Sequence, residues 1–337
     1  MAHPVSADQS IGALLGMALG DSLGFLVAGE APKYCADFAR HALDDDEPPW
    51  LEKDGFAFGQ YAIDTQLTRE LAASMIEVRG FDPAPYAARI VKLFDDERQI
   101  AAGAATTHAA HRLVQGMVWA QAGEPAPAAG NGGAVRAVAI GLSFADPAAR
   151  SGAAAMQAKI THHDVRVHAA AQLVAEAVFA IASEPELTRA TLLERLGDTV
   201  EALDPRLASS VRSLERVLVQ PPARAAAMLA PAGFVERDGF EPAQTITAFA
   251  TPSVLYALHA FLRSPDDPHA VLVTALSAGG DTASLGALAG ALVGARVGIS
   301  RLGERLRGWA TQLDDQGAGG YAELVELGRR LVERKRR

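Results

Sequence analysis

The chain has 337 residues, of which 49% are hydrophobic, so it has enough apolar material for a sizeable buried core. Its 31 basic and 40 acidic residues give a formal net charge of −9, which argues against binding to a nucleic-acid backbone. A single cysteine, Cys35, excludes an internal disulfide, and the N-terminus lacks the basic stretch of a secretory signal. Charged residues and glycines interrupt the apolar runs, so we expect a cytoplasmic protein without membrane spans.

The first predicted helix, Ile11–Gly24, has a glycine at every fourth position, namely Gly12, Gly16, Gly20 and Gly24. Residues four apart share one face of a helix, and each interior glycine costs roughly 1 kcal/mol relative to alanine. A stripe of four therefore indicates a groove where a second helix comes close. We expect residues 1–10 to be a flexible N-terminus and residues 11–337 to form a single domain.

Next along the chain, Gly59–Thr65 leads into a helix in which Leu67, Leu71 and Met75 repeat at helical spacing. Asp64 and Thr65 stand where the N-cap of that helix belongs. Capping is the ordinary role of such residues, and metal coordination from the helix start is the alternative.

A glycine turn, Gly130-Asn131-Gly132, opens a further helix that carries Arg136 in a hydrophobic segment. Backbone N–H groups at a helix start can bind anions, and a buried arginine needs an acidic or phosphate partner. Thr161–Asp164 follows, with two adjacent histidines that cannot share a helix face and no third ligand at zinc spacing. We favour a capping or loop-fixing role for that segment.

Near the C-terminal end, Ser277–Ser284 predicts a tight turn that feeds another helix. Gly279 and Gly280 can adopt positive φ, and Asp281, Thr282 and Ser284 can cap the first helical turn. Such a turn suits a metal ion or an anionic ligand. The helix behind it again has glycine at every fourth position, namely Gly286, Gly290, Gly294 and Gly298. We expect the two glycine-striped helices to pack together and to bring Asp21 toward Asp281.

Alternating apolar and polar residues bounded by hairpin turns, which would predict strands, are absent from the sequence. Alanine is abundant and clusters of β-branched residues are few. We therefore predict an all-α fold, a compact multi-helix bundle around one core.

Taken in order, four segments resemble the ADP-ribosylglycohydrolase family, whose fold is that of dinitrogenase-reductase-activating glycohydrolase. The segments are Gly12–Gly24, Gly59–Arg69, Gly130–Leu142 and Gly279–Ala295. The resemblance implies an all-α bundle. It also implies the family's activity, in which ADP-ribose is removed from protein side chains or related conjugates with two Mg²⁺ or Mn²⁺ ions held between helix starts.

The chain departs from the family at its metal motifs. The first, Thr-Asp-Asp-Thr, is here Ala62-Ile63-Asp64-Thr65, and the second, Asp-x-Asp-Thr, is Asp281-Thr282-Ala283-Ser284. Many members have a glutamate where this chain has Ala28, with Glu30 two residues further on. The resemblance thus leaves Asp64, Asp281 and Ser284 as metal ligands and Asp64, Asp281 and Glu30 as the catalytic residues.

The retained carboxylates are too few for a pair of metal ions. Two divalent cations about 4 Å apart carry four positive charges, of which Asp64 and Asp281 offset two and Asp21 at most a third. We therefore predict at most one weakly bound ion, Mg²⁺, Mn²⁺ or Ca²⁺.

The main hypothesis is a protein that binds ADP-ribose or an ADP-ribosylated protein and has lost two-metal hydrolysis. Its expected ligand-binding residues are Asp21, Gly130, Asn131, Gly132, Arg136, Gly279, Gly280 and Thr282. One alternative is an active glycohydrolase with one metal ion or none. Another is an interaction protein without a ligand, which would use the acidic loop Asp44–Glu47 and the basic end Lys335–Arg337.

Overall fold

The computed structural model describes residues 4–235, 239 and 244–333, and nearly all regular structure within them is helical, which confirms the all-α prediction. The basic end Lys335–Arg337 lies outside the described residues. The helices are α1 (Ala7–Leu26), α2 (Pro32–Asp44), α3 (Ile63–Val78), α4 (Pro83–Asp95), α5 (Ala104–Val114), α6 (Trp119–Ala122), α7 (Gly132–Val135), α8 (Val138–Ser143), α9 (Pro147–Lys159), α10 (Val165–Ser183), α11 (Arg189–Val200), α12 (Pro205–Arg212), α13 (Glu215–Leu218), α14 (Pro222–Leu229), α15 (Ala250–Arg263), α16 (Pro268–Leu276), α17 (Thr282–Val297), α18 (Glu304–Ala310) and α19 (Tyr321–Val332).

In the part of the chain that the structure describes, four two-residue strands accompany the helices. Strands β1 (Glu52–Lys53) and β2 (Phe56–Ala57) form an antiparallel hairpin, in which Lys53 is opposite Phe56. Strands β3 (Glu124–Pro125) and β4 (His162–His163) pair in parallel. The second pair holds the loop before α7 against the segment before α10.

Helix α1 begins at Ala7, earlier than the expected start at Ile11. A capping box explains the early start: the Ser6 hydroxyl accepts the Gln9 N–H at 3.2 Å, and the Gln9 side chain accepts the Ser6 N–H at 3.1 Å. Ser10 is fully buried. Residues 7–10, which we expected to belong to a flexible segment, therefore form the first turn of α1.

The two glycine stripes face each other, as expected, so the backbones of α1 and α17 are in direct contact. A Cβ atom added at Gly20 would lie 2.0 Å from the carbonyl oxygen of Gly286, and one added at Gly16 would lie 2.3 Å from that of Gly290. No side chain larger than hydrogen fits at such separations. Each stripe is therefore explained by the close approach of the other helix.

The largest cluster of buried apolar side chains includes residues from Val5 to Leu327. Helices α1 and α10 are long and apolar enough to cross a membrane by length and composition, and 89% and 78% of their most apolar stretches are buried inside the protein. Such burial is typical of helices at the centre of a globular core.

The contact between α1 and α17 predicts a cost for a single added methyl group. Gly20→Ala is expected to lower the free energy of unfolding by about 1–3 kcal/mol, because the methyl group displaces one helix from the other. Gly152→Ala in α9 is the matched control, since a Cβ there meets no atom within 4 Å. It should be neutral or stabilising by up to about 1 kcal/mol. Urea denaturation measures both; equal effects would contradict the packing described.

Candidate functional site

A cavity of about 510 Å³ opens where the starts of α3, α5 and α17 approach the end of α1. The turn of the β1–β2 hairpin, Glu124 of β3, the segment from Pro127 to Gly132, His162 of β4 and the residues just before α15 also line it. Segments from both ends and the middle of the sequence thus meet at one cavity, as the family resemblance of the four segments implied.

Asp64 and Ser284 join the starts of α3 and α17 inside this cavity. The Ser284 hydroxyl donates a hydrogen bond to Oδ2 of Asp64 at 2.6 Å, and both side chains are buried while still lining the cavity. The two segments that resemble metal motifs therefore contact each other directly.

Asp281 has both of its carboxylate oxygens occupied by protein groups. Oδ1 accepts the backbone N–H of Ser284 at 3.4 Å and so caps α17, and Oδ2 accepts the Asn131 amide at 2.7 Å. The same amide donates to the Ser253 hydroxyl at 3.0 Å. Asn131 thus ties the glycine turn before α7 to the start of α17 and to α15.

Asp21 lies fully buried in α1, next to this group but not in the cavity wall. Its Oδ2 accepts the backbone N–H of Thr65 at 3.0 Å, and its Oδ1 has no hydrogen-bond partner. Burial raises the pKa of Asp21 to about 7. Burial, together with the charges of Asp21 and Asp281, also raises the pKa of Asp64 well above its usual range. Protonation is the way these carboxyl groups avoid a buried, uncompensated charge.

The residues present do not fit a pair of divalent ions. Ala62, Ile63 and Ala283 line the cavity beside Ala28, and none of their side chains has an oxygen atom. Most of this surface packs into one apolar cluster, formed by Phe25, Ala62, Ile100 and Ala283 with Ala28 and Phe56 against them. Within the described ranges, no group of three or more His, Cys, Asp or Glu side chains is arranged to hold a metal ion. Mg²⁺ and Mn²⁺ require oxygen-rich shells, and this surface cannot supply two of them.

Gly130, Asn131 and Gly132 line the cavity at the turn before α7. The backbone N–H of Asn131 donates to Ala248 at 3.1 Å and is therefore not available to a ligand. A Cβ at Gly130 would lie 3.0 Å from Nε2 of His162, so glycine there leaves room for the imidazole ring.

Three residues of the glycine turn before α17 that we expected to bind a ligand lie outside the cavity wall. Gly279 and Gly280 have φ of 65° and 71° and pack against the backbones of Pro32 and Ile246. The Gly280 N–H donates to the carbonyl of Glu30 at 3.3 Å, and the Thr282 hydroxyl donates to the carbonyl of Gly24 at 2.6 Å. These hydrogen bonds hold the turn against α1 and against the segment just before α2.

Arg136 and Glu30 also lie outside the cavity wall. Arg136 is fully buried and donates to the Gln157 side chain at 2.7 Å and to the Thr161 hydroxyl at 2.6 Å. These neutral partners take the place of the expected phosphate or carboxylate. The side chain of Glu30 is exposed, so the structure gives no support to its expected catalytic role.

His162 is a cavity residue for which the sequence favoured only a capping or loop-fixing role. Burial lowers its pKa to about 3, so the imidazole is neutral. The Thr161 hydroxyl accepts a hydrogen bond from Arg136 and lies 2.7 Å from Nδ1 of His162. The Thr161 hydroxyl also lies 3.5 Å from the carbonyl oxygen of Ala158, a second acceptor for its proton, so the tautomer of His162 decides whether Nε2, the nitrogen next to Gly130, donates or accepts. The cavity therefore has a neutral imidazole at this point.

Two aromatic residues of the cavity, Phe25 and Phe249, also carried no signal in the sequence. Phe249 stacks on Phe234 with ring centroids 4.3 Å apart, and Phe25 meets Phe56 edge to face at 6.4 Å. Phenylalanines before or at the end of a helix are ordinary core residues. Only the tertiary arrangement shows that these two face a cavity.

The raised pKa of Asp21 predicts a pH-dependent stability. A carboxyl group with a pKa of about 7 in the folded state and 3.8 in the unfolded state stabilises the fold at low pH, and this contribution is lost as pH rises through that interval. Asp21→Asn should therefore gain free energy of unfolding relative to the parent between about pH 4 and pH 7, by at most about 1.4 kcal/mol per pH unit. Urea denaturation across this interval measures the difference.

Asp95→Asn is the control, because it removes one exposed carboxyl group at the end of α4. A difference between Asp21→Asn and the parent that stays constant from pH 4 to pH 7 would show that Asp21 is already ionised in the folded protein.

The model of the ADP-ribosylglycohydrolase family matches residues 2–337. ADP-ribosylhydrolase ARH3 of Gallus gallus is 28% identical over 315 residues, covering 85% of this chain and 84% of its own. ARH3 of Homo sapiens is 26% identical over 348 residues, covering 95% and 92%. An uncharacterized protein of Archaeoglobus fulgidus is 27% identical over 287 residues, covering 84% and 86%.

A solved structure, an ADP-ribosylglycohydrolase-related protein complex, matches with a TM-score of 0.68 and 24% identity over 97% of each chain. At that identity the likeness shows the fold. The family model covers nearly the whole sequence, and the chain belongs to the ADP-ribosylglycohydrolase family.

Proposed function

We propose that this cavity binds ADP-ribose, free or attached to a protein, and that two-metal hydrolysis has been lost. The observation that carries the proposal is the wall of the cavity itself. Asp64, Asp281 and Ser284 meet there, while the neighbouring positions that resemble metal motifs hold Ala62, Ile63 and Ala283. A cavity has thus been kept, but without the oxygen atoms that a cation pair needs.

The remaining polar groups suit a nucleotide sugar. With its proton on Nε2, His162 can donate to a phosphate or ribose oxygen. The carboxyl oxygens of Asp64 and Asp281 each have a second lone pair, which can accept from a ribose hydroxyl. Phe25 and Phe249 offer apolar ring surface, which a base or the apolar face of a sugar can cover. The name of the ARH3 relatives, ADP-ribosylhydrolase, supports the choice of ADP-ribose as the ligand.

An active glycohydrolase with a reduced metal requirement is the second candidate, and one observation favours it. The raised pKa of Asp64 makes a protonated carboxyl group available at the cavity wall, and a general acid needs such a group. Incubation with ADP-ribosyl-serine and ADP-ribosyl-arginine peptides separates the two candidates. Release of ADP-ribose by the parent protein, lost in Asp64→Asn, would favour the enzyme over the binder.

Binding without metal ions is the first test of the proposal. Titration calorimetry with ADP-ribose should show binding whose Kd changes by less than about twofold between EDTA and excess Mg²⁺ or Mn²⁺. The physical reason is that the cavity wall offers too few oxygen ligands to gain from either ion. An absence of heat at millimolar ADP-ribose, with and without metal, would remove the proposal.

Restoring the missing ligands is the second test. A variant with Ala28→Glu, Ala62→Thr, Ile63→Asp and Ala283→Asp should bind Mn²⁺ detectably by calorimetry or electron paramagnetic resonance, whereas the parent should bind it weakly or not at all. The reason is that the four new side chains add three carboxylates and a hydroxyl around Asp64 and Asp281.

The same variant with Asp281→Ala is the matched control and should lose Mn²⁺ again. A folded variant that fails to bind Mn²⁺ would show that these positions do not surround a former metal site.

A further inference from the structure

The β1–β2 hairpin brings one lysine to the cavity. Asp54 and Gly55 at its tip have φ of 52° and 81°, which is the pattern of a tight two-residue turn. The hairpin is held in place by Phe56, whose ring meets Phe25 of α1 edge to face. Lys53 stands opposite Phe56 in the ladder, and it lines the cavity together with Phe25 and Ala28.

The ammonium group of Lys53 is placed by two contacts with α1 and its end. Nζ donates a hydrogen bond to the carbonyl oxygen of Ala28, and it lies 5.9 Å from the centre of the Phe25 ring, a cation–π distance. An ammonium group has three N–H donors, and this hydrogen bond uses one of them. Among the described residues, no carboxylate forms an ion pair with Lys53, so its charge is not neutralised by the protein.

The wall beside this charge is apolar on the side of α1 and α17, while Asp54 at the hairpin tip lines the same cavity. Ala28, Ala62 and Ala283 lie in the same cavity wall and in the cluster around Phe25. A positive charge beside such a surface is less screened than one in open solvent, so it attracts an anion more strongly. The cavity therefore has an unneutralised cation next to the place where oxygen ligands for metal ions are missing.

We propose that Lys53 is the cation of this cleft and that it binds a phosphate group of the ligand without a metal ion. The inference rests on the proposed function and deepens it, since it assigns one residue of the cavity wall to the phosphate groups of the ligand. Lysine binds phosphate as a point charge with rotatable N–H donors. The hairpin therefore need not hold the ammonium group in one fixed orientation. Lys53 is a binding residue in this account.

The test compares three variants by calorimetry with ADP-ribose. Lys53→Met should weaken binding by about tenfold, which corresponds to about 1.4 kcal/mol, whereas Lys53→Arg should retain most of the affinity because it keeps the charge. Lys92→Met is the matched control: it removes the same charge from an exposed position on α4 and should bind like the parent. Affinity should also fall less steeply with added NaCl in Lys53→Met than in the parent.

Inorganic pyrophosphate is the second probe, because it carries the charge without the nucleoside. It should raise the midpoint temperature of thermal unfolding of the parent and of Lys92→Met, and it should leave that of Lys53→Met unchanged.

Equal ADP-ribose affinity and equal salt dependence in Lys53→Met and the parent would overturn the inference while the proposed function stands. If the parent fails to bind ADP-ribose, the proposed function fails, and the pyrophosphate shift alone then decides for or against Lys53. Equal losses in Lys53→Met and Lys53→Arg would also overturn it, because the charge would not be the cause.

Discussion

The backbone contact between α1 and α17 is the constraint on which the rest of the structure depends. Carbonyl groups of Gly16, Gly20 and Gly286 occupy the space that any side chain at the facing glycine would need. Helices that approach so closely have little freedom to slide or rotate, because every displacement creates overlap or an empty space. The contact therefore sets the position of the α17 start relative to the end of α1.

The position of the cavity follows from that contact. The Thr282 hydroxyl bonds to the carbonyl of Gly24, which locks the first turn of α17 against α1. Ser284 then reaches Asp64 at the start of α3, and Asp281 reaches Asn131 at the turn before α7. Each bond joins segments that are far apart in the sequence. The cleft of the ADP-ribosylglycohydrolase fold is thus assembled by hydrogen bonds between helix starts.

The interior of the cleft shows how it tolerates buried carboxyl groups. Asp21 and Asp64 have raised pKa values because burial disfavours their charged forms, and neighbouring carboxylates add to the effect at Asp64. A cation pair would offset such charges, but Ala62, Ile63 and Ala283 contribute no ligand. The Ser284 hydroxyl donates to Asp64 instead, and Lys53 contacts the apolar cluster of the wall at Ala28 and Phe25.

The sequence pattern alone predicted the all-α fold and the pairing of the two glycine-striped helices, because a stripe of glycines leaves room for a second helix to come close. The convergence of Asp64, Asp281, Ser284 and the Gly130–Gly132 turn was implied by the resemblance to the ADP-ribosylglycohydrolase family, and the structure brings them to one cavity. The sequence could not determine which polar groups face the cavity. Arg136 and Thr282 turn away because Gln157, Thr161 and the carbonyl of Gly24 offer them hydrogen bonds within the protein. His162, Phe249 and Lys53 line the cavity because Thr161, Phe234 and the carbonyl of Ala28 hold them there. Those choices depend on partners distant in the chain, so only the tertiary structure decided them.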